Sequence, residues 1–238
     1  MNKIEILLIE NRKTVRNKKA IKRVQEILRA QFPGLENEFI DNLPINIFGG
    51  TKMGFRYRLF ISQNIEKEIN GFIIYSHFPS YNFYFLDNMA AGPGLTNQGI
   101  GSELYQFFRQ EAKKNDALGI FFECKSDEPD SGFSGEELKQ NILRLKFYER
   151  FGARPIDNNQ FYLKVNESGN STLLVFDPLD IPITLTRDLV RKIAKKIILK
   201  KYSDFCPPDY IKTVVMSFRD NPIKIREPRY FKNKPSRQ

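Results

Sequence analysis

The chain has 238 residues, of which 41% are hydrophobic and 13% aromatic, so it supports a packed core and excludes global disorder. Its formal net charge is +10, with one histidine and two cysteines, which excludes a disulfide framework and a histidine-rich metal site. We therefore predict that the protein holds no metal. The length predicts one large domain or one domain with an appendage.

The predicted elements alternate between runs rich in β-branched or aromatic residues and segments with apolar residues at helical spacing. The last two strands are predicted to form a hairpin, and the tail from Cys206 is expected to lie over the body or to be partly loose. Strands are predicted at 4–9, 55–63, 70–78, 82–91, 117–125, 160–165 and 172–177, and helices at 19–32, from 102 onward, at 135–152 and at 186–202.

The charge is unevenly distributed along the chain. Residues 183–238 hold 15 Lys and Arg against 5 Asp and Glu, whereas 126–138 holds five acids and no base. No segment approaches the roughly 20 apolar residues of a membrane span, and the N-terminal apolar run is too short for a secretion signal. We expect a cytoplasmic protein with no membrane partner.

Residues 96–105 read TNQGIGSELY, with Gly99 and Gly101 just before an apolar helical stripe. A glycine turn between a strand and a helix lets the backbone approach a ligand, and the amides of the first helical turn favour a phosphate. A plain strand-to-helix turn is the simpler alternative. No Gly-Lys-Ser/Thr follows, as a Walker A loop needs, and the Rossmann pattern G-x-G-x-x-G fails at Leu104.

The segment LDNMAAGPGLTNQGIGSELYQFF resembles motif A of the GCN5-related N-acetyltransferases, the GNAT superfamily. That motif reads Gln/Arg-x-x-Gly-x-Gly/Ala after a strand; here Thr96 replaces the first residue, and both glycines are in place. The resemblance implies acetyl-CoA as cosubstrate, with its pyrophosphate on backbone amides and its pantetheine along the preceding strand. The residues it assigns to this role are Met89, Ala91, Gln98, Gly99, Ile100, Gly101 and Ser102.

Two later segments are also similar to superfamily patterns. NILRLKFYERFGARPI resembles the segment Asn-x-x-Ala-x-x-Leu-Tyr-x-x-x-Gly-Phe, with Asn141, Tyr148 and Gly152 in register. Asn141 and Tyr148 are two helical turns apart, so both face one side of the helix, and the resemblance adds both to the cofactor contacts. FFECK resembles the Leu-Glu-Val strand of ribosomal-protein and related peptide acetyltransferases, with Glu123 at the Glu position.

The resemblance covers about 55–163 and implies an α+β fold with a mixed, mostly antiparallel sheet flanked by helices, followed by a basic helical C-terminal extension. We accordingly predict a GNAT-like acetyltransferase domain over 1–180 and an extension over 181–238.

Acetyl transfer from a thioester to an amine needs a neutral amine, a donor for the oxyanion and a proton for the departing thiolate. By resemblance, Glu123 is the first choice of base and Asp87, on the preceding strand, is the alternative. Tyr148 is the expected acid. The simpler interpretations are an outward-facing strand carboxylate for Glu123 and a packed core aromatic for Tyr148. Cys124 is expected to be a small core residue.

The predicted function is acetyl-CoA-dependent transfer to a primary amine, namely a lysine side chain, a peptide amine or a polyamine. The acidic segment favours a cationic acceptor, although a solvated surface loop is the simpler interpretation. One alternative is a nucleic-acid-associated GNAT protein that uses its basic extension, and another is an acyl-CoA-binding module without turnover. The acidic segment argues against an anionic acceptor.

Overall fold

The structure is a computed structural model that describes residues 4–49, 54–96, 98–161, 171–203 and 206–231. The chain divides into two compact units, Met1–Ala117 and Leu118–Gln238, and both combine strands with helices. The first unit contains β1 (Glu5–Leu8), α1 (Val15–Gln31), α2 (Asn37–Asp41), α3 (Leu43–Phe48), β2 (Arg56–Gln63), β3 (Ile69–Phe78), β4 (Phe83–Ala91) and α4 (Ile100–Lys114). The second contains β5 (Ile120–Lys125), α5 (Gly135–Glu149), β6 (Arg154–Pro155), β7 (Thr172–Asp177), α6 (Arg187–Tyr202) and α7 (Pro208–Met216).

The four strands of the first unit pair in chain order, and each pair is antiparallel. Leu7 lies opposite Ile61 on the neighbouring strand, and Ile73 lies opposite Met89. The connections from β2 to β3 and from β3 to β4 are short turns, which makes this part of the sheet a meander. β4 thus leads directly to the glycine turn and α4.

Helices cover both faces of this meander. On one face, Leu59 and Ile61 pack with Phe72, Ile74 and the buried side of α1. On the other face, α4 packs through aromatic rings, and the ring centroids of Tyr75 and Phe108 are 4.7 Å apart. The ring contact holds α4 against the face of the meander opposite to α1.

The short helices α2 and α3 were not predicted. They have five and six residues, which is too few for a helical period to show in the sequence. Their buried residues, Ile40, Leu43 and Ile47, extend the core beneath α1.

In the second unit, β7 pairs antiparallel with β5 on one side and with the two-residue strand β6 on the other. The predicted strand at 160–165 is not observed at residues 160 and 161, and 162–165 lie outside the described residues. The described partner of β7 on this side is β6, so the expected hairpin with 160–165 finds no support in the described residues.

The extension packs within the second unit. The N-cap of α6 is Thr186, and its buried side comprises Val190, Ile193, Ala194, Ile197 and Ile198 at helical spacing. After α7, the tail runs beside β6, where Ile225 forms a bridge with Ile156 and the Arg226 N–H donates to the Pro155 carbonyl at 2.9 Å. The described part of the tail is therefore laid over its unit, one of the two arrangements expected. The boundary at residue 180 stays a prediction.

Candidate active site

The glycine turn opens α4 in the way that a phosphate cradle requires. Gly99 is the N-cap, with φ of +85°, a left-handed conformation that favours glycine. Its carbonyl accepts hydrogen bonds from the amides of Ser102 and Glu103, at 2.9 and 3.1 Å. No side chain caps this helix end, and nothing lies within 4 Å of a Cβ built on Gly99. The turn therefore leaves space for an outside group beside the first helical amides.

The residues assigned to the cofactor in the first unit form one continuous strand, turn and helix. Met89 and Ala91 lie on β4, opposite Ile73 and Gly71, and both are half-buried. Gln98 is exposed, and its side chain lies within 3.4 Å of the Gly94 carbonyl. Ile100, Gly101 and Ser102 form the first turn of α4.

A cavity of about 1130 Å³ adjoins this turn. Leu95, Gln98 and Ile100 form part of its wall, and one stripe of α1 forms another. The basic residues that line it are Arg16, Lys19, Arg23 and Lys67, against the acids Glu68 and Glu103. The net positive lining and the uncapped helix N-terminus both favour an anionic ligand, so the residues present fit the phosphates of CoA.

Glu123, the first choice of base, lies on β5 with its side chain only 11% exposed. Its Oε2 accepts hydrogen bonds from the Tyr202 hydroxyl at 2.9 Å and from the Lys201 ammonium. Its Oε1 is buried and has no partner among the described residues. Glu123 is therefore not an outward-facing strand carboxylate: helix α6 covers it.

Asp87, the alternative base, lies on β4 and is half-buried. The Ser76 hydroxyl on β3 donates a hydrogen bond to its Oδ2 at 2.7 Å. This contact ties the Asp87 carboxylate to the neighbouring strand.

Tyr148 and Asn141 both lie on the buried side of α5, as their spacing predicted. The Tyr148 ring contacts Phe122 on β5, with centroids 4.3 Å apart. Burial raises the pKa of the Tyr148 hydroxyl, so the group stays protonated at physiological pH. The Asn141 amide donates to the Ser126 carbonyl at 3.0 Å, which ties the end of β5 to α5.

Glu123 and Tyr148 lie on opposite faces of β5. Neighbouring residues of a strand point to opposite faces, and Tyr148 packs on Phe122, the residue before Glu123. Cys124 follows Glu123 and is buried, and burial raises the pKa of its thiol to about 12. Its sulfur therefore stays protonated at neutral pH, in keeping with the expected core role.

The acidic segment and the tail form an ion-pair network that the sequence did not reveal. Asp127 is fully buried and accepts two hydrogen bonds from the Arg226 guanidinium, at 2.8 and 3.0 Å, and one from the Tyr230 hydroxyl. Arg229 pairs with Asp127 at 3.2 Å and with Glu128 at 2.7 Å. Part of the negative charge that favours a cationic acceptor is thus neutralised by the extension.

Glu149, at the end of α5, anchors the same tail. Its carboxylate accepts backbone hydrogen bonds from residues 229, 230 and 231, at 3.1, 2.7 and 2.7 Å. Lys201, Tyr202, Arg226 and Tyr230 were not among the predicted site residues. The only signal in the sequence was the opposite charge of the acidic segment and the extension.

Comparison with solved structures gives the class of fold. The ribosomal-protein-S18-alanine N-acetyltransferase of Escherichia coli is 17% identical and matches with a TM-score of 0.51, over 76% of this chain and 97% of that one. GCN5 of Tetrahymena is 14% identical, with a TM-score of 0.51, over 76% and 99%. A GNAT-family protein of Bacteroides thetaiotaomicron is 18% identical, with a TM-score of 0.55, over 85% and 99%. These likenesses confirm the predicted GNAT fold.

The family follows from the sequence match. The model of the acetyltransferase (GNAT) family matches residues 21–153, more than half of the chain, so the chain belongs to the GNAT family. No curated protein matches it. In the described part of the chain, no helix is long and apolar enough to cross a bilayer, and no three His, Cys, Asp or Glu side chains form a group that could hold a metal ion.

Proposed function

We propose that this protein is an acetyl-CoA-dependent N-acetyltransferase that transfers an acetyl group directly to a primary amine. The observation that carries the proposal is the N-terminus of α4. Gly99 has a left-handed conformation there, no side chain caps the helix end, and a cavity with four basic side chains adjoins it. An anion at this position meets helix amides and a positive lining together, which is what a pyrophosphate needs. Membership of the GNAT family supports the same assignment.

Acetyl-CoA, when bound, supplies the thioester. The residues that hold its phosphates in this proposal are Gln98 to Ser102, and those along its pantetheine are Met89 and Ala91. Glu123 receives the proton of the acceptor amine at its carboxylate, and Tyr148 gives the proton of its hydroxyl to the departing sulfur. The C–N bond forms at the thioester carbon as the C–S bond breaks, and the two proton transfers leave a neutral amide and the free thiol of coenzyme A.

The acceptor is proposed to be a lysine side chain, a peptide amine or a polyamine. A free lysine amine titrates near ~10.4 and a peptide α-amine near ~8, so the lysine needs more help from a base at neutral pH. Attraction by the acidic segment is weaker than its five acids suggest, because Asp127 and Glu128 are paired with Arg226 and Arg229. The same pairing uses cations that a nucleic acid would otherwise contact.

The test is thiol release from acetyl-CoA with a panel of N-terminal peptides, lysine peptides, polyamines and small amines. With the best acceptor, Glu123→Gln should lower kcat/KM by about 10²-fold or more, the lower end for general acid–base catalysis. The loss should shrink as pH rises, because more of the acceptor is then already neutral. If Asp87→Asn shows this pattern and Glu123→Gln does not, the base lies on β4. Coenzyme A binding without turnover would favour an acyl-CoA-binding module.

A further inference from the structure

We propose that Lys201 and Tyr202, at the end of α6, are positioning residues that hold Glu123 and reserve its Oε1 for the acceptor amine. This inference rests on the proposed function, in which Glu123 receives the amine proton. It makes the C-terminal extension part of the acceptor site rather than an appendage to it.

The two oxygens of Glu123 have different surroundings. Oε2 accepts from both the Tyr202 hydroxyl and the Lys201 ammonium, whereas Oε1 is buried with no partner in the described part of the chain. A buried carboxylate oxygen without a donor is costly, and native proteins contain few of them. An amine at Oε1 would satisfy that atom, so the geometry assigns Oε1 to the acceptor.

The two donors hold this orientation together. Turning the carboxylate out of this orientation would break both hydrogen bonds. The Lys201 ammonium balances the negative charge in a site that is only 11% exposed, where an isolated charge is disfavoured. Burial raises the pKa of Tyr202, so its hydroxyl remains a donor at neutral pH.

The rest of α6 fixes the position of the two donors. Its buried apolar stripe packs inside the second unit, and the Lys201 ammonium lies 5.2 Å from the Tyr202 ring centroid, within cation–π range. Two consecutive residues of one anchored helix thus approach one carboxylate oxygen. This arrangement suits a fixed support for Glu123 better than a chance surface ion pair.

The kinetic test uses Tyr202→Phe, Lys201→Met and Lys201→Arg, with Lys195→Met as the matched control because Lys195 is an exposed cation of the same helix. Tyr202→Phe should lower kcat about tenfold, the effect of losing one hydrogen bond to a charged group, with KM for acetyl-CoA unchanged. Lys201→Met should lower kcat at least as much, and Lys201→Arg should restore most of it. Lys195→Met should match the wild type.

A second measurement tests the contact without turnover. The changes in unfolding temperature of Glu123→Gln and Lys201→Met should not add in the double variant, since each removes the same ion pair. Additive changes, or wild-type kcat in Tyr202→Phe and Lys201→Met, would overturn the positioning role while Glu123→Gln still tests the base. If the wild type releases no thiol with any amine of the panel, both the proposed function and this inference fail.

Discussion

Replacing Asp127 with Asn should destabilise the protein strongly, because it leaves a buried cation without its counter-ion. The Asp127 side chain is fully buried and that of Arg226 is 11% exposed, and two hydrogen bonds join them. Removing one partner of a buried pair costs about 3–5 kcal/mol. Arg229, which is 40% exposed, adds little because solvent screens its charge.

The free energy of unfolding should decrease by about 3 kcal/mol, the lower end of this range, since Asn still accepts a hydrogen bond. For a chain of this size, each kcal/mol shifts the unfolding temperature by about 2–4 °C, which gives a decrease of about 6–12 °C. Thermal unfolding followed by circular dichroism at pH 7 measures it. Asp130→Asn, an exposed acid in the same segment, is the control and should change stability by less than about 0.5 kcal/mol.

The pKa of Asp127 determines how this stability difference changes with pH. Burial opposes ionisation of Asp127, but hydrogen bonds from Arg226 and Tyr230 and the nearby guanidinium charges hold its pKa below the usual range. A carboxylate with a lowered folded pKa stabilises the protein above its unfolded pKa, about 3.9, and this stability is lost as pH falls through the folded pKa. The wild-type advantage over Asp127→Asn should thus be constant from pH 7 to about 5, should decrease as pH falls below about 4, and should be lost once pH has passed the lowered folded pKa. Equal stability of the Asp127 and Asp130 variants at pH 7 would refute the reasoning.

Three further predictions concern the site. Gly99→Glu should weaken binding of coenzyme A, measured by calorimetry, far more than Gly94→Glu; both glycines have positive φ and open space around a Cβ, but only Gly99 opens α4. Equal losses would place the phosphates elsewhere. Tyr148→Phe should lower kcat about 10²-fold and leave coenzyme A binding unchanged, because only the proton donor is lost; wild-type turnover would return Tyr148 to a packing role. Neutralising Asp130 and Glu136 should raise KM for a cationic peptide by less than about threefold at low salt and should leave it unchanged at high salt. A tenfold rise would instead show that the acidic segment attracts the acceptor strongly.

Local patterns predicted most of the fold. The strands β2, β3 and β4 either alternate apolar and polar residues or are continuously apolar, and the amphipathic helices α1, α4, α5 and α6 have apolar stripes. Both patterns can be recognised in the sequence. The shared face of Asn141 and Tyr148 followed from their spacing alone. Helix α7 escaped prediction because Pro207 and Pro208 begin a nine-residue helix in a stretch that otherwise indicates a loop.

The ion pairs of the site could not be predicted in this way. Asp127 and Arg226 are 99 residues apart in sequence, and Glu123 and Lys201 are 78 apart. No short-range period relates such positions. Only the fold brings them together, and only the excess of opposite charge in the two segments hinted that they would meet.

The extension and the acidic segment are therefore better understood as one structure than as two charged surfaces. Lys201 pairs with the candidate base, and Arg226 and Arg229 pair with Asp127 and Glu128. A tail that merely attracted nucleic acid would gain nothing from pairing its cations with carboxylates, since each pair neutralises a positive charge. A tail that shapes an acceptor site gains fixed positions for the carboxylates beside β5. The distribution of charge along this chain thus supports a role for the extension at the site of acetyl transfer.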